Sequence, residues 1–262
     1  MLSDMAGRRV LVTGGTGHLG RVIAETVAEQ GAAVVLLDRP GSPFQEVEAQ
    51  LGDTWGVDCQ SIACNLEDEE ARNNAIYAIL NDGKPLNCLV NNAAFVGTSD
   101  LHGWSTAFEQ QSLDTWRRAL EVNLTAPFHL SQGLSPLLRR SKGASILNIT
   151  SIYAEQGPDW RLYEGTSMGN PAAYGASKAG LTQLTRWLAT TLAPDVRVNA
   201  ICPGGISRGQ PHSFVEQYVR RTPLQRMASE TDFKGAVALF VSDLSSYTSG
   251  QVLAVDGGWG VW

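Results

Sequence analysis

RRVLVTGGTGHLGRVIAETVAEQGAAVVLLD, residues 8–38, decides the fold. A short apolar run ends in a glycine-rich turn, a stretch with apolar residues at helical spacing follows, and a Val/Leu run closes on an acid. Strand, turn, helix and strand in that order make a βαβ unit, whose two strands are parallel. Within it, TGGTGHLG, Thr13 to Gly20, places glycines at 14, 15, 17 and 20. A glycine lets backbone approach a pyrophosphate closely, and the helix amino terminus behind it offers free N–H groups and a favourable dipole. Thr13, Gly14, Gly15, Thr16, Gly17, His18, Leu19 and Gly20 are therefore candidate cofactor contacts. His18 needs no chemical role, since exposure at the turn accounts for it as well as a contact does.

Eighteen residues beyond Gly20 the second strand ends at Asp38. A carboxylate there accepts hydrogen bonds from an adenosine ribose and repels a 2′-phosphate, which favours NAD over NADP. Arg39 pulls the other way, because its guanidinium could hold such a phosphate.

Downstream the alternation continues. RRVLVTG, AAVVLLD, CQSIACN, LNCLVNN, ASILNIT, VRVNAICPG and QVLAVDG are seven strand-like runs rich in Val, Ile and Leu. Between them lie helical patterns such as LTQLTRWLATTLA, with Leu181, Leu184, Leu188 and Leu192 in phase. Apolar strands separated by helices imply a parallel sheet covered on both faces, a doubly wound α/β Rossmann fold. No repeat and no Pro/Gly/Ser linker divides residues 1–262, so one domain is expected. Two segments break the alternation, residues 154–173 and 204–222. Both leave carboxyl ends of strands, where open α/β sheets bind ligands; the first reads as a substrate-loop insert and the second as a lid.

Composition narrows the class. The chain has 262 residues, 43% hydrophobic and 18% charged, a globular balance. A net charge of −6 argues against a nucleic-acid surface, and no apolar run is long enough to span a bilayer. The amino terminus lacks a separate apolar signal region, so a cytoplasmic protein is expected. Cys59, Cys64, Cys88 and Cys202 lack metal-ligand spacing and read as thiols of a reducing compartment; the four histidines do not cluster, and no metal site is expected.

The chemistry concentrates near YGASK, residues 174–178. On a helix Tyr174 and Lys178 lie one turn apart on one face. A tyrosine is too weak an acid to serve as a base at neutral pH unless a neighbouring cation stabilises its phenolate, which Lys178 would do. By composition the pair could occur by chance, so its setting carries the weight: it follows the strand ASILNIT and lies downstream of a phosphate loop.

That setting resembles the short-chain dehydrogenase/reductase family over essentially the whole chain. The resemblance rests on Thr13-Gly14-x-x-Gly17-x-x-Gly20, NNAA at 91–94, Asn123 in EVNLTAPF, Ser151 in NITS, YGASK, PGGI at 203–206 and GQVLAVDGGW. It implies a seven-stranded Rossmann sheet and an NAD(P)-dependent alcohol dehydrogenase or carbonyl reductase. It also implies a catalytic set of Asn123, Ser151, Tyr174 and Lys178. In that set Tyr174 exchanges the proton, Lys178 lowers its pKa and holds the nicotinamide ribose, Ser151 orients the reacting oxygen, and Asn123 holds a water linking Lys178 to solvent. Asn65 stands where relatives usually carry aspartate near the adenine. With Leu66 it joins the expected cofactor contacts, as do Asn91, Asn92, Ala93 and Ala94, then Pro203, Gly204 and Ile206. The glycine spacing is that of longer, sugar-nucleotide-handling members, whereas the carboxyl half resembles shorter ones.

Ser151 and Tyr174 are 23 residues apart, well beyond the family's usual separation. The intervening segment resembles that of bacterial oxidoreductases associated with flagellin modification and legionaminic-type sugar synthesis, implying a polar, sugar-derived small-molecule substrate. Trp160 and Tyr163 would offer aromatic faces to a sugar ring, and Arg161 or Arg208 would hold a phosphate. The insert could equally pack on a neighbouring subunit. The family also implies a homotetramer or homodimer. Two other functions stay open: a nucleotide-sensing regulator or scaffold that keeps the fold without the chemistry, and an epimerase or dehydratase using transient oxidation.

Overall fold

The computed structural model describes residues 4–96 and 101–262; residues 1–3 and 97–100 of the expected domain lie outside it. All seven expected runs are strands: β1 (Arg9–Thr13), β2 (Ala33–Asp38), β3 (Cys59–Ala63), β4 (Cys88–Asn91), β5 (Ser145–Ile149), β6 (Arg197–Pro203) and β7 (Val252–Val255). They form one sheet in the order β3-β2-β1-β4-β5-β6-β7, with every pairing parallel. The helices are α1 (His18–Glu29), α2 (Phe44–Trp55), α3 (Glu69–Asn81), α4 (Leu113–Leu120), α5 (Ala126–Arg139), α6 (Ala172–Thr191), α7 (His212–Arg221) and α8 (Lys234–Val241).

Strand periodicity explains the two cores. Val10 and Val12 of β1, with Val34, Leu36 and Val90, face one side and pack on Ile23 and Val27 of α1 and Val237 and Phe240 of α8. Leu11, one residue out of phase, joins Val35, Leu37 and Leu89 on the other side, against Ile76 and Ile79 of α3, Leu130, Leu134 and Leu138 of α5, and Leu188 of α6. Because every internal strand buries both faces, the runs read as continuously apolar in sequence. A third, smaller core lies above the sheet's carboxyl edge, where Ile152, just before the insert, and Leu162 within it meet Phe214 and Tyr218 of α7 and Trp259 near the carboxyl terminus.

Strand order reverses direction at β1, which pairs β2 on one side and β4 on the other. In open parallel sheets this switch point opens a crevice beyond the carboxyl ends of the strands. Between α4 and α5 the chain makes a five-residue π-helical turn, Glu121–Thr125, so the two helices run on with an enlarged turn between them. Such turns concentrate at functional positions.

Candidate active site

The β1–α1 turn is built from close backbone contacts. Gly14 N donates to Leu37 O at 2.7 Å and Gly17 N to Gly14 O at 3.1 Å. A Cβ on Gly20 would stand 1.9 Å from Gly14 O, and one on Gly14 (φ +63°) would meet Asn92 Nδ2 at 3.1 Å. Any side chain at either position would fill the cradle the turn encloses. The Thr13 hydroxyl accepts from Asn92 N and Ala93 N, both at 3.0 Å, joining the ends of β1 and β4. Helix α1 starts directly above with no side-chain cap on Gly17, leaving its first turn available to an anion.

Above the switch point lies a cleft of about 860 Å³. Gly14, Gly17, His18, Leu19 and Gly20 line it at the turn, and Asp38, Arg39, Asn65 and Leu66 line it over β2 and β3. Asn92, Ala93 and Ala94 line its middle, with Ser151, Tyr174, Lys178, Pro203, Gly204, Ile206 and Arg208 beyond them. Thr13, Gly15, Thr16 and Asn91 are not on the wall. Thr13 and Asn91 are buried, and Gly15 has no room for a side chain, since a Cβ would lie 2.8 Å from Leu36. Asn91 donates instead to Asn148 Oδ1 at 2.8 Å. Thr16 acts on Asp38: its N–H and hydroxyl both donate to Asp38 Oδ2, at 3.0 and 2.6 Å. Asp38 Oδ1 accepts from Arg39 N at 2.8 Å. The Arg39 side chain is exposed and has no ion-pair partner among the described residues.

At the far end, Tyr174 and Lys178 occupy successive turns of α6. Lys178 is only 1% exposed, and its Nζ donates to Ile149 O at 2.7 Å. Burial disfavours its charge and pushes its pKa down to about 8. Burial raises the Tyr174 pKa above the ordinary tyrosine value, opposed by the hydrogen-bonding Ser151 hydroxyl and then the Arg208 guanidinium. Ser151 follows the end of β5, and its hydroxyl also accepts from Tyr153 N at 3.2 Å.

Asn123, in the π-helical turn, is wholly buried and off the cleft wall. Its Oδ1 accepts from Phe95 N at 2.6 Å. Its Nδ2 donates to Phe95 O at 3.2 Å and to Ser177 Oγ at 3.0 Å. Ser177 in turn donates to Tyr174 O at 2.9 Å. Both amide donors are thus spent on protein groups, and the side chain braces α6 against the segment after β4.

The expected substrate residues divide. Tyr163 lines the cleft, and its hydroxyl lies 2.6 Å from that of Tyr153. Arg208 lines it too, with its Nε on Glu230 at 2.9 Å. Trp160 lines a neighbouring cavity instead, and Arg161 lines neither. The Arg161 side chain is 77% exposed and bidentate on Asp159, at 2.8 and 2.7 Å, because a carboxylate two residues away outcompetes a distant site. The wall also includes Tyr153, Met168, Phe214 and Tyr218, which sequence reading did not single out. Only Tyr153 carried a signal, standing two residues after Ser151. Among the described residues no group of three His, Cys, Asp or Glu side chains could hold a metal ion, and no helix is long and apolar enough to cross a membrane.

Comparison with known proteins agrees with this fold. A family model described as enoyl-(acyl carrier protein) reductase matches residues 16–260. The 3-oxoacyl-[acyl-carrier-protein] reductase FabG of Aquifex aeolicus is 32% identical over 97% of this chain and 98% of its own length. Post-translational flagellin modification protein A of Campylobacter coli is 26% identical over 96% of this chain and 98% of its own. Among solved structures, the NADPH-dependent 3-quinuclidinone reductase of Rhodotorula rubra superposes with a TM-score of 0.87 at 27% identity, covering 99% of this chain and 93% of that one. A xylitol dehydrogenase with NAD+ bound gives 0.84 at 28% identity, covering 97% and 99%. The two solved relatives thus use different dinucleotides.

Proposed function

The chain belongs to the short-chain dehydrogenase/reductase family, and from that premise we propose that it is an NAD(H)-dependent oxidoreductase interconverting CH–OH and C=O on a polar, sugar-derived substrate. One observation carries the reading: a buried lysine, a half-buried tyrosine one turn away and a serine hydroxyl beside that tyrosine converge on one end of a cleft whose other end is a glycine cradle.

The residues present fit a nicotinamide dinucleotide. The uncapped first turn of α1, Gly17 to Gly20, would hold the pyrophosphate. Asp38 would accept from the adenosine ribose, Asn65 and Leu66 would flank the adenine, and Asn92, Ala93, Ala94 and Lys178 would hold the nicotinamide ribose. Pro203, Gly204 and Ile206 would border the nicotinamide. When bound, the dinucleotide supplies the hydride acceptor or donor and, oxidised, a positive charge near Tyr174.

Tyr174 takes the hydroxyl proton of an alcohol or gives one to a carbonyl oxygen. Its burial opposes the phenolate, so stabilisation by a cation is required. Lys178 is predominantly protonated at neutral pH, its pKa being about 8, and provides that charge from one turn away. Ser151 Oγ holds the reacting oxygen in line with Tyr174. Asn123 acts as a positioning residue, fixing Ser177 and through it the turn that carries Tyr174. The preference for NAD rests on Asp38, whose carboxylate Thr16 fixes at the cleft wall. The four free cysteines accord with a reducing, cytoplasmic location, and exposed Phe128 of α5 and Trp187 of α6 accord with a homotetramer or homodimer.

The test is cofactor reduction by purified protein with NAD, then NADP, across polyols, sugar phosphates, nucleotide sugars, steroids and simple alcohols. Turnover of a sugar derivative is expected, with Tyr174→Phe retaining dinucleotide affinity and losing about 10²- to 10⁴-fold in kcat. Equal turnover by Tyr174→Phe rejects the assignment.

A further inference from the structure

Beyond the cleft lies a second, half-open cavity of about 780 Å³ between residues 105–111 and the insert. Tyr153, Tyr163, Met168 and Gly169 line both spaces, so the partition is one layer of side chains, centred on the 2.6 Å contact between the two tyrosine hydroxyls. A molecule reacting at Ser151 and Tyr174 is thus next to the second cavity.

The lining of that cavity is selective. It contains no acidic or basic side chain. Gln111, Gln156, Thr166 and Asn170 supply neutral donors and acceptors, and Trp160, 58% exposed, and Phe108 supply aromatic faces. Asp159 beside Trp160 is consumed by Arg161 and Arg221, and the other charged groups next in sequence to the lining, Glu109, Glu155 and Glu164, are acidic, so no unpaired cation is offered there. A phosphate entering such a space would give up part of its hydration without meeting an unpaired cation. A neutral sugar ring has what the walls accept: hydroxyls for the amides and hydroxyl groups, and an apolar C–H face for the indole.

We infer that this cavity is a subsite for an uncharged glycosyl or polyol unit attached to the reacting group, with Trp160 as its platform and the Tyr153–Tyr163 pair as its threshold. The inference rests on the reading of the first cleft as the place where a sugar alcohol or ketose reacts. It makes the substrate a two-part, neutral saccharide derivative rather than a sugar phosphate.

Sorbitol, maltitol (sorbitol carrying a neutral glucosyl ring) and sorbitol 6-phosphate share one polyol and differ only in what is attached. Their affinities for the NAD-saturated protein, measured by saturation-transfer NMR, should favour maltitol about tenfold over the other two. Trp160→Ala, which truncates an exposed side chain, and Ser167→Trp, which fills the cavity from an exposed position, should each remove most of that preference. Sorbitol binding should not change in either. Equal affinities, a preference for the phosphate, or a maltitol preference that survives both variants overturns the subsite. NAD reduction by polyols is scored separately. Reduction without a Trp160-dependent preference keeps the proposed activity and removes the subsite. A Trp160-dependent preference without reduction by any polyol keeps the subsite and removes the activity.

Discussion

Asp159 Oδ2 and Arg221 Nη1 meet at 2.9 Å, joining the insert to the last turn of α7. Arg221 also stacks its guanidinium 4.3 Å from the Trp259 ring, and Trp259 stacks on Tyr218 at 4.3 Å. From there rings continue through Phe214 and Tyr163 to Trp160, with centroid separations of 6.1, 5.6 and 5.8 Å. The insert and α7 therefore form one cover over the cleft.

Cutting that tie should loosen the cover without touching the reacting groups. Asp159→Ala should raise KM about fivefold, the equivalent of about 1 kcal/mol for a partly exposed pair, while kcat changes less. Hydrogen bonding from Arg161 first, and from Arg221, holds the Asp159 carboxyl well below the usual carboxylate range. A carboxylate with a depressed pKa keeps its contribution above the ordinary value and loses it only as pH falls through the folded-state value. KM of the wild type should consequently show no step between neutral pH and pH about 4 attributable to this pair. Steady-state kinetics of wild type and variant over that range decide it.

Tyr174 and Lys178 titrate in an order that matters. Burial raises Tyr174 and lowers Lys178 to about 8, so in the cofactor-free protein the lysine loses its charge before the tyrosine ionises. Ultraviolet difference titration of wild type against Tyr174→Phe should show no Tyr174 phenolate below about pH 10 without NAD. With NAD added, the same difference should appear at lower pH. A Tyr174 phenolate near neutrality in the free protein would contradict the arrangement.

Lys178 carries a stability cost, because its amine is buried. Its folded pKa of about 8 lies below the unfolded value of about 10.4, so the unfolded chain binds more protons between these values. Wild-type stability therefore rises with pH through that window relative to a variant without the amine. Lys178→Met should abolish turnover yet gain on the order of 2 kcal/mol at pH 7, after allowing for the lost bond to Ile149 O. That gain should vanish above about pH 10. Denaturant melts at pH 7 and pH 10 provide the check.

Asp38 and Arg39 are adjacent on the cleft wall, and the proposed preference for NAD makes them the pair to change. Asp38→Ser should lower the ratio of kcat/KM for NAD over NADP at least about tenfold, by removing a charge that repels a 2′-phosphate. Arg39→Ala should move the ratio the other way. The loss of the Thr16 contact in Asp38→Ser affects both dinucleotides, so the ratio isolates the charge. An unchanged ratio in both variants would remove these residues from cofactor selection.

The sheet was legible in the chain because each internal strand buries both faces and so writes an uninterrupted apolar run. The glycine turn was legible for a related reason: Gly20 has no space for a Cβ and Gly14 adopts φ +63°, and steric necessity leaves a mark in local sequence. Side-chain partners across long separations leave none. That Thr16 would take an oxygen of Asp38, or that Asp159 would capture Arg161 and Arg221, follows from tertiary placement alone. Trp160 was read as offering a face to a sugar ring, and it lines the cavity adjoining the cleft rather than the cleft itself. The sequence placed it in the right loop and could not supply the loop's path.

The five-residue turn at Glu121–Thr125 has a consequence of its own. An α-helix advances about 100° per residue, so the enlarged turn sets the angular phase between α4 and α5 like an offset key on a shaft. On one side of it Arg118 is fixed to Glu67, and on the other Leu130, Leu134 and Leu138 mesh with the sheet. Removing one residue from the turn would give an unbroken helix with one set of teeth in engagement and the other turned out. The segment is thus a spacer whose length sets that phase, and Asn123 within it ties the segment after β4 to α6.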